Sequence, residues 1–279
     1  MPKTTIESVT YRRYRSKAAT GALYRGDALV FLSRLPASSA GVVFLDPPFN
    51  LGKRYSEVHP KIDARPPADY TNWMREVIDA SVRVMAPGAS LFLYHLPTWA
   101  IVFGEYLHSK LDFRHWIAVS MKNGFVRGQR LYPAHYALLY YTKGIPAHFR
   151  RPRLQMTTCR NCGEPIRDYG GYRSIVEKKG VNLSDVWDDL SPVRHSTTKL
   201  GSQNQLPIKM LRRVLDIAGA PGTTYVDPFA GTGTGVIAAI EAGMPFEACD
   251  ILQVNCELIA QRIRTHSVST EKRGNGNRR

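Results

Sequence analysis

Gly41-Val-Val-Phe-Leu-Asp-Pro-Pro-Phe-Asn50 is the stretch around which the chain is organised. Its run Val42 to Leu45 is short, β-branched and aromatic, which predicts a buried strand delivering Asp46 to the carboxyl edge of a sheet. Pro47 and Pro48 remove two backbone N–H donors and stiffen the turn, so the Pro47 carbonyl points wherever the turn aims it. A carboxylate, a rigid carbonyl and the Phe49 ring within four residues suit a planar amino group. They offer two acceptors for its two hydrogens and a face to stack on. The same residues also fit a plain strand-to-turn transition with Phe49 as core filler, because Asp-Pro at a strand end is common turn chemistry. The rest of the chain decides between the two.

Upstream, Ala22-Leu-Tyr-Arg-Gly-Asp27 reads as a short strand ending in an acid, followed by a helix from Ala28 to Leu35. Strand, helix, strand in this order predicts a parallel sheet. Downstream, the polar and poorly periodic stretch from Leu51 to Pro67 is long enough to be a functional loop. Asp69 is expected to cap a helix carrying Tyr70, Trp73, Met74, Val77, Ile78 and Val84, ended by Pro87-Gly88. Ala89–His95 then reads as a strand, Thr98–Lys110 as a helix, and Phe113–Met121 and His135–Thr142 as strands. The expected fold class is α/β, a doubly wound and mostly parallel sheet.

The chain has 279 residues, 43% of them hydrophobic, and a formal net charge of +15. That excess of cations points to a polyanionic partner, most simply nucleic acid. Residues 1–20, with Arg12, Arg13, Arg15 and Lys17, read as an exposed basic arm, and residues 266–279 as a basic tail, disordered from Glu271 to Arg279. Between Lys143 and Arg213 there are 14 Lys or Arg against 6 Asp or Glu, in a region rich in turn residues and without a clear period. Residues 143–195 are therefore expected to form an inserted nucleic-acid lobe, between halves at 21–142 and 196–265. No apolar run is long enough to span a bilayer, which predicts a cytoplasmic protein with no membrane partner. Cys249 and Cys256 read as reduced residues near the core. Cys159 and Cys162 form a single C-x-x-C, which His148 or His195 could complete as a zinc site. Free thiols in a tight turn are the expectation, and no metal is assigned.

A second constellation lies near the end of the chain. Pro207 opens a helix, Thr224–Val226 is a short strand, and Asp227-Pro-Phe-Ala-Gly-Thr-Gly-Thr-Gly235 is a glycine-rich turn into another helix. Phe246–Cys249 is the next strand, reaching Asp250, 23 residues after Asp227. This is the layout of a nucleotide-binding unit whose second acid takes ribose hydroxyls, at a spacing of about 20 residues. The glycines do not follow the dinucleotide pattern, and Asp227 would repel a pyrophosphate. An acid at that point suits a ligand carrying an ammonium and a sulfonium, which is S-adenosylmethionine.

Leu45-Asp-Pro-Pro-Phe-Asn50 followed by Val226-Asp-Pro-Phe-Ala-Gly-Thr-Gly-Thr resembles the β type of amino-group DNA methyltransferases, and the resemblance covers roughly Leu23 to Arg264. It implies the Rossmann-like fold of S-adenosylmethionine-dependent methyltransferases, with a target-recognition lobe between the two motifs. Asp46, Pro47, Pro48 and Phe49 would form the catalytic loop, with Asp46 also facing the cofactor. Asp227, Phe229, Ala230, Gly231, Thr232 and Gly233 would form the cofactor turn, Asp250 would take the ribose, and Asp27 would lie near the adenine. Asn204, in Asn204-Gln-Leu-Pro207, corresponds to a segment closing over the methionine end, though the usual family sequence there is absent. Trp187, in Asn182-Leu-Ser-Asp-Val-Trp187, reads as packing first. The implied partner is double-stranded DNA at the nucleoid, with a homodimer and a cognate restriction endonuclease as further partners. Asp at the head of the tetrapeptide favours adenine as the methylated base. The alternatives are the cytosine amino group, an RNA substrate, or a silent nucleic-acid-binding module.

Overall fold

In the computed structural model the described residues are 9–15, 19–52, 63–120, 128–129, 131–159, 161–165, 167, 170–190 and 205–276, with side chains described as far as 266. Among these, eleven strands and seven helices occur in the order β1 (Val9–Arg15), β2 (Thr20–Arg25), α1 (Ala28–Arg34), β3 (Ala40–Leu45), α2 (Pro67–Val84), β4 (Met85–His95), α3 (Pro97–His108), β5 (Asp112–Ser120), β6 (His135–Thr142), β7 (Arg153–Leu154), α4 (Arg173–Lys179), β8 (Val181–Asn182), β9 (Val186–Trp187), α5 (Ile208–Ala218), β10 (Tyr225–Asp227), α6 (Thr234–Glu241), β11 (Phe246–Asp250) and α7 (Gln253–Gly276).

Nine strands make one sheet in the order β1-β2-β11-β10-β3-β4-β6-β5-β9. The run from β2 through β11, β10 and β3 to β4 is parallel throughout, as expected for strands joined by helical crossovers. Consecutive residues of β3 point to opposite faces, and both faces are covered. Val42 and Phe44 pack with Leu211 and Val214 of α5, Val236 of α6 and Ile259 of α7. Val43 and Leu45 pack with Phe31 of α1, Met74 and Val77 of α2 and Phe103 of α3. A strand buried on both faces must be apolar at every position, which is why Val42–Leu45 has no polar alternation.

Several helix ends are closed by cations from other elements. The Arg83 guanidinium donates to the carbonyls of Leu32 and Leu35 at the end of α1, at 2.6 and 2.9 Å. The Lys143 ammonium donates to Val82 and Met85 at the end of α2, both at 2.9 Å. Carbonyls in the last turn of a helix carry the negative end of its dipole, which these cations complement.

The structure departs from the expected elements at several places. Residues 9–15 of the basic arm are not unstructured: they pair antiparallel with β2 as an edge strand, and Tyr14 packs against Phe246 with ring centroids 5.7 Å apart. Helix α2 begins at Pro67 without a side-chain cap, Asp69 lying in its first turn, and it ends at Val84. Pro87-Gly88 belongs to β4, where Gly88 at φ +77° donates to the Lys143 carbonyl. Strand β6 runs antiparallel between β4 and β5, and among the described residues no crossover helix separates it from β5. Helix α7 continues through residues expected as a disordered tail, and its buried stripe is Cys256, Ile259, Ala260 and Ile263, leaving Val254 exposed.

Within the stretch expected as an inserted lobe, β7 and β8 form a two-stranded sheet of their own beside α4, which buries none of its residues. Strand β9 instead joins the main sheet beside β5. Trp187 is buried, as its packing role requires, and the Arg213 guanidinium lies 4.9 Å from the centre of its ring. Arg213 is itself buried and makes a two-pronged pair with Asp189 at 2.9 and 2.7 Å, joining this segment to α5. The hydrogen bonds from Arg213 and the added Lys209 contact hold the Asp189 carboxyl well below the usual carboxylate range.

Asp189→Ala leaves the buried Arg213 cation without its partner. It is expected to cost about 2 kcal/mol, less than a fully buried pair because Asp189 is partly solvated. Since the folded-state value is depressed, this stability is present above a pH of about 4 and is lost as pH falls below it. Thermal unfolding at pH 7 and pH 3 measures both effects. A variant as stable as the parent at pH 7 contradicts the role given to the pair.

Candidate active site at the carboxyl edge of the sheet

From β3 the chain crosses to β4 on one side, whereas from β10 it crosses to β11 on the other. β3 and β10 are nevertheless neighbours, with Val42 opposite Tyr225 and Val43 opposite Val226. At such a reversal the connections diverge and open a crevice outside the carboxyl ends of the two strands. A cleft of about 350 Å³ lies there, lined by Asp46, Asp227, Phe229, Ala230, Gly231 and Thr232. Phe44, Leu206, Leu211, Thr234 and Gly235 complete the lining.

Each glycine of the turn has a different reason to be glycine. Gly231 and Gly233 adopt φ of +52° and +78°. A Cβ on Gly233 would also lie 2.7 Å from Ile259 of α7. A Cβ on Gly235 would lie 2.0 Å from the Tyr225 hydroxyl oxygen and 2.9 Å from Asp227 Oδ2, inside the polar lining of the cleft. Asp227 shapes the turn directly: Oδ1 accepts from the Phe229 N–H at 3.1 Å and Oδ2 from the Tyr225 hydroxyl at 2.9 Å. Asp250 braces it from β11, Oδ2 accepting from the Gly231 N–H at 2.8 Å while Oδ1 accepts from Leu252 N–H and Asn255 Nδ2.

The loop after β3 is held at both ends. Asn50, at φ +57°, exchanges two hydrogen bonds with the Arg65 backbone, at 2.9 and 2.7 Å. The buried Asp63 carboxylate accepts from the N–H groups of Asn50 and Leu51 at 2.6 and 3.1 Å. The Pro48 carbonyl accepts from the buried Tyr70 hydroxyl at 2.5 Å. Phe49 stacks on His95 with centroids 4.8 Å apart, and Tyr94 and Tyr136 flank it at 5.9 and 5.7 Å.

The sequence-predicted residues do not all meet in one place. Asp46, Asp227, Phe229, Ala230, Gly231 and Thr232 share the cleft. Pro47, Pro48 and Phe49 follow Asp46 but do not line the cleft, Phe49 being buried in the core, while Gly233 belongs to the turn and Asp250 braces it through the Gly231 N–H. Asp27 caps α1, accepting from the N–H groups of Leu29 and Val30 at 2.9 and 3.2 Å. Asn204 and His195 lie outside the described residues. Cys159 and Cys162 occupy a hairpin turn closed by Cys159 N–H to Glu164 O and Gly163 N–H to Cys159 O. Among the described residues no group of three His, Cys, Asp or Glu side chains is arranged to hold a metal ion.

Sequence reasoning missed Asp63, Tyr70 and His95 as parts of this site. Asp63 sits in a stretch without period and gave no signal. His95 offered one: it ends the strand beside β3 in a parallel sheet, so it had to reach the same edge as Asp46.

The electrostatics follow from burial. Burial and then the charge of Asp227 raise the Asp46 carboxyl well above the ordinary carboxylate range, and no hydrogen-bond donor among the described residues offsets this. Burial pushes Asp227 up to about 7, against the lowering effect of its two hydrogen bonds, and Asp250 up to about 6. Burial takes His95 down to about 3, so the imidazole is neutral. Two poorly solvated carboxylates facing one cleft favour ligands that bring positive charge or hydrogen-bond donors.

A carboxyl raised in the folded state is stabilising while protonated and costs stability as pH rises from its unfolded value of about 4 through its folded value. For Asp227 that window closes at about 7. Asp227→Asn keeps an acceptor for the Phe229 N–H and removes the charge. It is expected to raise the midpoint of thermal unfolding by several degrees at pH 8, corresponding to a few kcal/mol, and by less than about half as much at pH 5. An equal or larger gain at pH 5 would contradict the assignment.

A sequence model described as DNA methylase matches residues 41–261 of the chain. The type II methyltransferase M.BamHI of Bacillus amyloliquefaciens is 42% identical over 245 residues, which cover 88% of this chain and 57% of that protein. The chain thus spans little more than half the length of that relative. The DNA adenine methyltransferase YhdJ of Escherichia coli is 26% identical over 92% of this chain and 86% of its own. Among solved structures, the complex of M1.HpyAVI with SAM superposes with a TM-score of 0.59 at 15% identity, covering 86% of this chain and 98% of that one. PvuII DNA methyltransferase, cytosine-N4-specific, gives 0.59 at 14% identity, covering 92% and 95%. At those identities the structures attest the α/β methyltransferase fold and no more. The sequence match runs from the strand that carries Asp46 past the turn that carries Asp227, and over that span the chain belongs to the N6/N4 DNA methylase family.

Proposed function

We propose that the protein transfers a methyl group from S-adenosylmethionine to the exocyclic amino group of adenine in double-stranded DNA. One observation carries the reading: Asp46 and Asp227, from two different motifs, line the same cleft. Each carboxylate then has its own ligand. The cofactor turn fits a bulky cation, because Gly231 and Gly235 bring bare backbone to the cleft and Asp227 supplies negative charge there. S-adenosylmethionine, when bound, supplies a methyl group on a sulfonium, open to attack by a nitrogen lone pair.

An exocyclic amino group is a poor nucleophile because its lone pair is conjugated into the ring. The Asp46 carboxylate and the Pro47 carbonyl each accept one of its hydrogens, which draws the nitrogen toward tetrahedral geometry and frees the lone pair. This is catalysis by positioning and electrostatics. A carboxylate that burial has made more basic than usual is a strong acceptor and can hold the proton the nitrogen gives up. The base must leave the duplex to reach Asp46, and Phe49 offers it a face to stack on.

The base assigned is adenine because Asp heads the tetrapeptide, a tendency of the family that the sequence already suggested. One relative is named a DNA adenine methyltransferase, which supports the same choice. Duplex DNA as partner is supported by the net charge of +15 and by the exposed cations Arg153, Arg173, Lys178 and Lys179 around α4. On this reading β7, α4 and β8 belong to the target-recognition lobe, residues 21–142 to the catalytic half and 196–265 to the cofactor half. A second copy of the chain and a cognate restriction endonuclease are proposed as partners on the resemblance alone. Among the described residues no helix is long and apolar enough to cross a membrane.

The test is transfer from labelled cofactor to duplex DNA followed by nucleoside analysis. Label in N6-methyladenine is expected, and Asp46→Ala should lower the single-turnover rate by about 10³-fold while cofactor affinity stays within about threefold. Label found only in N4-methylcytosine overturns the choice of base, and label found only on RNA overturns the substrate. An Asp46→Ala protein as active as the parent overturns the mechanism.

A further inference from the structure

Behind the catalytic loop lies a chain of hydrogen bonds whose proton positions have one consistent assignment among the described residues. The Leu96 N–H donates to His95 Nδ1 at 2.7 Å, so Nδ1 carries a lone pair. A neutral imidazole then has its proton on Nε2, which lies 2.7 Å from the Tyr70 hydroxyl oxygen. With that oxygen accepting from Nε2, the hydroxyl proton is free to go to the Pro48 carbonyl, at 2.5 Å. His95 and Tyr70 are both fully buried, and the Tyr70 ring is wedged edge-on against Trp99, with centroids 4.8 Å apart. Protonating His95 would set an Nδ1–H against the Leu96 N–H, which agrees with burial holding the imidazole neutral.

The relay ends on the peptide that joins Pro48 to Phe49. The proline rings fix φ at both 47 and 48, so the Tyr70 bond to the Pro48 carbonyl restrains the backbone rotation left open at Pro48, its ψ, and with it the path of the chain from the Pro47 carbonyl to Phe49. His95 touches the loop a second time, through the stack of its ring on Phe49. One histidine thus fixes the orientation of the Pro48 carbonyl through Tyr70 and the tilt of the aromatic face directly. The site is built from α2 and the end of β4, two rigid elements.

We infer that His95 and Tyr70 are positioning residues for amino-group methylation, holding the Pro48–Phe49 peptide so that the Asp46 and Pro47 acceptors and the Phe49 face keep one fixed geometry. The inference rests on the function proposed above. Neither residue touches the reacting atoms. Their effect is on the chemical step, and cofactor binding around Asp227 is left alone.

Tyr70→Phe keeps the ring and removes the relay, and His95→Leu removes the Nε2 donor. Each is expected to lower the single-turnover methylation rate by about 10²-fold, the cost of a misplaced reacting group. Cofactor affinity and duplex affinity should change by less than about threefold. His95→Gln, whose amide nitrogen reaches the Nε2 position, should recover most of the rate lost in His95→Leu. A merely structural role would lower the unfolding temperature and leave the rate per folded molecule unchanged in Tyr70→Phe; that result overturns the inference. A parent protein without methyl transfer sinks the functional reading instead, and this inference with it. Should Tyr70→Phe fail to fold, imidazole ¹⁵N shifts of the parent decide. A neutral His95 with its proton on Nε2 at pH 6 is expected, and the opposite tautomer or an imidazolium overturns the relay.

Discussion

Parallel pairing of β3 with β10 brings two carboxylates into one poorly solvated cleft, and much of the surrounding structure answers that cost. Asp46 stands one residue past β3 and Asp227 closes β10, so the pairing of Val42 and Val43 with Tyr225 and Val226 sets how close they are. Burial raises the cost of ionising both, the charge of Asp227 adds to it at Asp46, and the charge of Asp250 adds to it at Asp227. A fold selected only for stability would place an amide or an apolar residue at one of these positions. Holding both is reasonable when two ligands, one cationic and one a donor of hydrogen bonds, arrive together.

The two carboxylates are supported in opposite ways. Asp227 is tied into its turn by Tyr225 and by the Phe229 N–H, and Asp250 accepts from the Gly231 N–H, so the glycine-rich turn is a closed network of hydrogen bonds. Asp46 has no such partner among the described residues, and its position comes from the stiffness of the loop that leads from it to Asn50. Two prolines, the clasp between Asn50 and Arg65, the Asp63 carboxylate and the Tyr70 anchor fix the backbone while leaving the acceptor atoms unspent. An acceptor already satisfied within the protein would have little to offer an incoming amino group.

The strands were legible in the sequence wherever burial on both faces left an uninterrupted apolar run, as in Val42–Leu45, Phe92–Tyr94 and Leu138–Tyr141. Local chemistry made the turn at Asp227–Gly235 legible as well, because a positive φ and a close approach leave glycine as the only candidate at Gly233 and Gly235. The features that could not be read depended on contacts distant in sequence. Residues 9–15 look like a polar arm because an edge strand is solvated on most of its surface, and only pairing with β2 makes it a strand. Asp63 looks like any loop acid until the fold sets it under Asn50. His95 carried a topological signal through its strand, whereas its tautomer depends on Leu96 and Tyr70 and no spacing encodes it.

On the proposed function, the charge of Asp227 is reserved for a cationic cofactor. The most direct test is calorimetric titration of the protein with S-adenosylmethionine at pH 6, in two buffers of different ionisation enthalpy. The free carboxyl, raised to about 7, is mostly protonated at that pH, and a bound cation favours its ionised form. The account predicts that binding releases protons, that Asp227→Asn lowers the release by close to one proton, and that affinity tightens about tenfold between pH 6 and pH 8. Binding with no proton release and no dependence on pH, or the same release from Asp227→Asn, would contradict it.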